Sequence, residues 1–218
     1  ADFPNYDNDL QLKETSYKHD LFMGYRGYEK KGIKPLYPFG YGLSYTTFGY
    51  SNISVTPGVV VGNAPIKVSF DLTNTGKVAG SEVAELYVGQ ANPKVARALK
   101  ELKGYKKVYL QPGESRHVTI ELNDRSLAYF DVPSKQWVID ADTFNLSLGA
   151  SSQDIRLQGK LVNQFRQELS TTTSNPLPRS ALNATKVTST TVKTGGIYDQ
   201  ATGDSTSDDS SDYGNADY

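Results

Sequence analysis

The 218-residue chain has no cysteine, one methionine, one tryptophan and two histidines. The missing cysteine excludes disulfides and thiolate metal sites, and leaves redox compartment unreadable from cysteine usage. His19 and His117 lie far apart and offer no metal-ligand spacing. Asp208, Asp209 and Asp212 lack the spacing and glycine pattern of a calcium loop. No metal site and no cofactor are therefore expected. Apolar runs of spanning length are missing too, so no membrane span is expected. The opening residues do not read as a signal peptide, so an exported form would begin at an already processed Ala1. Nucleophile–base signatures and phosphate-cradling loops are lacking: Gly24-Tyr25-Arg26-Gly27 has neither the strand before it nor the helix after it that such a loop requires.

Charge excludes a further class. Residues 1–198 carry 23 basic against 18 acidic groups, while 199–218 carry six aspartates and no lysine or arginine. The basic excess is spread without a local cluster, and a nucleic-acid partner is not expected. Hydrophobic residues make up only 37%, alongside 19 glycines, which points to β structure plus a polar, loosely built portion. Fifteen tyrosines and eight phenylalanines suggest many half-buried ring surfaces.

Alternation supplies the fold. Strands are expected near Tyr50–Val55, Ile66–Thr73, Glu82–Gly89, Leu102–Leu110, His117–Leu122, Gln136–Ile139, Thr143–Leu148 and Ile155–Val162. Ile66, Val68, Phe70 and Leu72 share one face by strict alternation. In Glu82–Gly89, both Ala84/Leu86/Val88 and Val83/Glu85/Tyr87 are partly apolar, as in a central strand touched on two sides. Asn74-Thr75-Gly76 and Gln111-Pro112-Gly113-Glu114 are turn sequences. Asp124–Asp131 loses the two-residue period and reads as a single helical turn crossing between sheets, capped by Asp124. Many short alternating runs with regularly spaced turns define an all-β, immunoglobulin-like sandwich. Three N-glycosylation sequons begin at Asn52, Asn145 and Asn183, the first two on outward strand positions.

The stretch before the sandwich is different. Residues 17–48 are rich in rings and glycine without a period, so they cannot bury their aromatics against themselves and should lie over another body. The expected docking residues are Tyr17, His19, Phe22, Tyr25, Arg26, Tyr28, Tyr37, Phe39, Tyr41, Tyr45 and Phe48. Arg26, between Tyr25 and Tyr28, is placed to pair with a carboxylate or stack on a ring.

Pro38-Phe39-Gly40-Tyr41-Gly42-Leu43-Ser44-Tyr45-Thr46-Thr47-Phe48, preceded by Gly24-Tyr25-Arg26 and Pro35-Leu36-Tyr37, resembles a junction in glycoside hydrolase family 3, the β-glucosidase and β-xylosidase family. There it joins the α/β sandwich domain to a C-terminal fibronectin type III-like domain. The resemblance runs from about Tyr17 to Val162 and includes Gly80-Ser81-Glu82-Val83, Leu86-Tyr87-Val88, Leu102-Lys103-Gly104-Tyr105, Leu110–Glu114, Gly149–Ser152 and Asp154-Ile155-Arg156-Leu157. Departures are Ala141-Asp142 before Phe144, where a glycine is usual, and His19-Asp20. The resemblance implies three parts: 1–48, a remnant of a truncated α/β domain with the joint; 49–163, a fibronectin type III-like domain; and 164–218, a low-complexity Ser/Thr/Asp-rich tail.

In that family the nucleophile aspartate and the acid/base lie upstream of the joint. Neither motif occurs here, and no catalytic residue is assigned. The resemblance implies a non-catalytic portion of a secreted β-glucosidase-like enzyme that stabilises the catalytic domains and the cleft rim. Its partner would be the upstream catalytic portion of the same precursor or another protein chain, and carbohydrate substrate would be met through that partner. Two other roles fit the residues: an extracellular assembly module that docks or polymerises, with self-assembly through strand addition by the β-forming run 186–193 of the tail, and a carbohydrate-binding module.

Overall fold

The computed structural model describes residues 20–60 and 65–169, together with the backbone of Asn8–Asp9 (β1) and Glu14–Thr15 (β2), which pair antiparallel. Tyr17, His19, Asn183 and the tail lie outside the described residues. Helix α1 is Tyr25–Lys30. The sandwich strands are β3 (Phe48–Thr56), β4 (Ile66–Asn74), β5 (Gly80–Gln90), β6 (Glu101–Leu110) and β7 (Ser115–Leu122), followed after an excursion by β10 (Asp142–Gly149) and β11 (Ile155–Asn163). One sheet has the order β3-β4-β7 and the other β11-β10-β5-β6, all antiparallel. The expected all-β, fibronectin type III-like sandwich is the fold observed.

The alternating runs set the register because one slip would turn a whole strand inside out. In β4, Ile66, Val68, Phe70 and Leu72 are at most 1% exposed. Ile66, Val68 and Phe70 pair directly with Leu122, Ile120 and Val118 of β7. On the facing sheet, Leu146 and Leu148 of β10 pair with Val88 and Leu86 of β5. These side chains interdigitate in one core. Gly104 of β6 sits so close to the opposite sheet that a Cβ there would lie 2.5 Å from Ile120 Cγ2. After the cis Thr56-Pro57 bond the chain leaves β3 and runs beside β11, where Val60 N–H donates to Val162 O at 2.9 Å and Val162 N–H to Gly58 O at 3.1 Å. The first strand thus engages both sheets.

The excursion departs from expectation. A helical turn covers only Asp124–Ser126, and its cap is Asn123, not Asp124: Asn123 Oδ1 accepts from both N and Oγ of Ser126 at 3.0 Å. Asp124 is one residue too late to reach that free N–H. The remainder is extended. Tyr129–Asp131 (β8) pairs with Gln136–Ile139 (β9), and β9 pairs with Gln167–Leu169 (β12), a strand the sequence did not announce. Gln136–Ile139 therefore belongs to a small third sheet. Phe130 meets Trp137 edge-on at 5.7 Å, and the Arg125 guanidinium lies 3.6 Å over the indole. That ring cluster outweighs any helical preference of these few residues.

The core reading gives a direct contrast. Phe70→Ala or Leu86→Ala should cost about 3–5 kcal/mol in urea unfolding, whereas Tyr45→Ala should change it by no more than ~0.5 kcal/mol.

Candidate docking face and joint groove

Strand β5 is covered on both faces. Ala84, Leu86 and Val88 point into the core, while Glu85 and Tyr87 lie on the outer face and are also buried. Residues 20–46 provide that outer cover. Tyr25 of α1 packs 5.8 Å from the Tyr87 ring and 5.1 Å from Phe39, and its Oη accepts the backbone N–H of Leu102 at 2.8 Å. A donor on edge strand β6 is thereby satisfied. Arg26 pairs with Glu101 at 3.4 Å, beside Lys103 and Arg97 on the same carboxylate. Burial pushes the Glu101 carboxyl up, but these cations outweigh it and hold it below the ordinary glutamate value. Glu29 binds Lys100 through one oxygen and buries the other without a partner among the described residues.

The path over Glu85 depends on a glycine. Gly40 has φ +83°, and a Cβ there would lie 2.4 Å from both carboxylate oxygens of Glu85. Tyr87 Oη donates to Glu85 Oε2 at 2.5 Å. Burial, reinforced by nearby Glu82, raises the Glu85 carboxyl despite that bond, and burial followed by the Glu85 hydrogen bond raises Tyr87. Further along, Ser152 N–H donates to Phe39 O at 2.8 Å. Thr46 Oγ1 donates at 2.6 Å to the fully buried Asn74, whose Nδ2 in turn donates to Val78 O and Leu110 O. Sequence reading had taken Asn74 as a turn residue. Its neighbours Thr75 and Gly76 hid a role that only the returning joint reveals.

Within the described residues the expected docking residues divide into three groups. Tyr25 and Arg26 engage the sandwich and Phe48 enters its core at 9% exposure. Phe22 is half-buried with Lys30 Nζ 3.3 Å over its ring, and Tyr28 is half-buried. Tyr37, Phe39, Tyr41 and Tyr45 are exposed, Tyr45 at 98%. With Leu21, Met23, Ile33, Leu36 and Leu43, also exposed, they form an apolar run along residues 21–45. Soluble surfaces rarely leave so much apolar area in one short segment.

A groove of about 370 Å³ opens between the joint and the β10–β11 turn. Tyr50 Oη donates to Glu82 Oε1 at 2.9 Å, and Arg156 grips Asp154 through two bonds of 2.6 and 2.7 Å. Burial raises the Glu82 carboxyl against the opposing effect of the Tyr50 bond. Both carboxylates of the groove are therefore already engaged by a neighbour. Asn52 of β3 and Asn145 of β10 are exposed as expected, and Asn52 Nδ2 donates to Asp71 at 2.8 Å. His117, also exposed, binds the same carboxylate at 2.7 Å. Among the described residues no cluster of three metal-ligating side chains occurs, and no helix is long and apolar enough to cross a membrane.

Fold and joint together define a class, a fibronectin type III-like module with an amino-terminal segment laid over the outer face of one sheet. Residues 82–152 match the fibronectin type III-like domain family. Thermostable β-glucosidase B of Acetivibrio thermocellus is 46% identical over 72% of this chain and 20% of its own length. Probable β-glucosidase L of Emericella nidulans is 45% identical over 64% of this chain and 21% of its own. Among solved structures, β-glucosidase 3B of Thermotoga neapolitana in complex with α-D-glucose superposes with a TM-score of 0.69 at 36% identity, over 77% of this chain and 23% of its own. The β-glucosidase of Kluyveromyces marxianus in complex with glucose gives 0.67 at 40%, over 72% and 18%. The chain thus corresponds to a partial, C-terminal-like portion of glycoside hydrolase family 3 β-glucosidases, and spans about a fifth of the length of the curated relatives it matches.

The pKa directions set a pH test. A carboxyl raised on folding adds stability that is full below its unfolded value and lost as pH rises through the folded one. Glu85→Gln keeps an acceptor for Tyr87, so it should melt above the parent at about pH 8, with the gap closing towards about pH 3.5. Asp71, lowered by its bonds to Asn52 and His117, contributes oppositely: its stabilisation is present above the ordinary aspartate value and fades as pH falls. Asp71→Asn should then lose melting temperature at about pH 7 and little at about pH 2.5.

Proposed function

We propose that this chain is the non-catalytic C-terminal portion of a secreted, β-glucosidase-like family 3 glycoside hydrolase, whose sandwich stabilises the catalytic domains and shapes the rim of their cleft. The observation that carries this reading is the apolar run of residues 21–45, held against the sandwich by Tyr25, Arg26 and Gly40 but open on its other side. Burying such a surface against a neighbour supplies the association energy that the segment cannot gain by itself. Similarity to β-glucosidases along most of this chain, but only about a fifth of theirs, supports the upstream catalytic portion as that neighbour. The groups needed for glycoside hydrolysis would then lie on the partner, and the sugar would be met there.

The isolated chain should show no turnover of an aryl β-glucoside above a heat-killed control. Intact-complex mass spectrometry of native material should find the chain with a catalytic portion, covalently continuous or co-purifying. Leu36→Glu combined with Tyr45→Glu should weaken that association at least about tenfold while leaving the melting of the isolated sandwich unchanged. A homopolymer of this chain would favour the assembly role instead and overturn the enzyme reading.

A further inference from the structure

We propose that the groove between the joint and the β10–β11 turn binds a neutral, polyhydroxylated ligand of the size of a sugar ring. Gly42 is the first indication. It lines the groove, its φ is not among the positive ones, and a Cβ built on it meets nothing within 4 Å. Neither a left-handed backbone nor packing among the described residues calls for glycine there. A side chain at this position would instead take space from the groove, whose volume of about 370 Å³ falls in the range of small-molecule sites.

The polar lining is fixed in advance. Tyr50 orients Glu82 through one carboxylate oxygen, leaving Oε2 as an acceptor. The Arg156 fork uses Nε and Nη2 on Asp154, so Nη1 remains as a donor beside carboxylate oxygens with spare lone pairs. Ser44 Oγ accepts Thr46 N–H at 3.2 Å and keeps its own proton to donate. Planar groups that present a donor next to an acceptor match adjacent hydroxyls on a ring, each of which gives and takes one bond. Phe48 and Val83 supply apolar wall for the ring's C–H face.

Charge narrows the ligand class. Two carboxylates against one guanidinium disfavour phosphates and carboxylates. Two acidic groups already engaged by a phenol and a guanidinium make a poor cation site. A wholly apolar ligand would strip water from Glu82, Asp154 and Arg156 without replacing its bonds. A neutral ligand rich in hydroxyls satisfies all three conditions.

The test is an NMR titration of the ¹⁵N-labelled chain with D-glucose, cellobiose and glucose 6-phosphate. Saturable shifts are expected at the backbone amides of 40–44, 81–83 and 154–156 with glucose or cellobiose, with Kd on the order of 1–10 mM. Glucose 6-phosphate should bind at least about tenfold more weakly. Gly42→Val should abolish the response with the rest of the spectrum unchanged. Glu82→Gln, which preserves the acceptor for Tyr50, should weaken binding about fivefold or more and decides the matter if Gly42→Val fails to fold. Absence of saturable shifts up to about 100 mM neutral sugar, an undiminished response in both variants, or equal binding of the phosphate sugar would overturn the proposal. The experiment uses this chain alone, so its outcome is separate from that of the docking experiment.

Discussion

Over Ala84–Gly89 strand β5 has no face in water, and the organisation of the segment before the sandwich follows from that constraint. Its inner residues Leu86 and Val88 complete the core between the sheets, while Glu85 and Tyr87 on the other side are polar enough to require partners and too buried to find them in solvent. They satisfy each other at 2.5 Å, and the chain that covers them must come close enough to exclude water. Gly40 permits that approach, Tyr25 and Phe39 close over the rings, Ser152 fastens the covering segment at Phe39, and Asn74 fastens its far end at Thr46. The joint is thus part of the sandwich's own structure rather than a tether attached to it.

The parts of this arrangement that repeat were readable from residue order. Ile66, Val68, Phe70 and Leu72 alternate without a break, and the two apolar phases of Glu82–Gly89 already described a strand covered on both sides. In the small third sheet β9 was readable as the strand Gln136–Ile139, but β8 and β12 were not, because strands of three residues are too short to show a period. Residues 124–131 looked helical because the two-residue period lapses there, and lapse of one period is weak grounds for another. Nor does sequence separate the rings of residues 17–48 into covered and open ones. Tyr25 turns inward because a particular donor, Leu102 N–H, and a particular ring, Tyr87, await it. Tyr45 has the same chemistry and meets neither.

Electrostatics follow the same division of labour. Burial raises Glu82, between the two sheets, and Glu85, under the covering segment, and each depends on a tyrosine hydroxyl, whereas the cations around Glu101 hold it low. On the open face of the β3-β4-β7 sheet, Asp71 is held low by hydrogen bonds to Asn52 and His117. One sandwich therefore carries carboxyls whose contribution grows in acid, Glu82 and Glu85, and others, Asp71 and Glu101, whose contribution fades in acid. The groove holds Glu82, which with Tyr50 links the two sheets at the level of the joint.

The crossing of the first strand has a consequence for how such sandwiches meet each other. An open sheet side is an invitation to any passing extended peptide, and most β proteins must blunt it. Here residues 58–60 already occupy backbone groups of Val162 on the outer side of β11, and Ile53 and Val55 crowd Gly159 beside it. A foreign strand seeking that flank would first have to evict the chain's own. At the opposite flank, β6 presents the exposed Lys106 and Lys107, so a second copy arriving there meets like charge. Both flanks of the four-stranded sheet are thus guarded against lateral stacking.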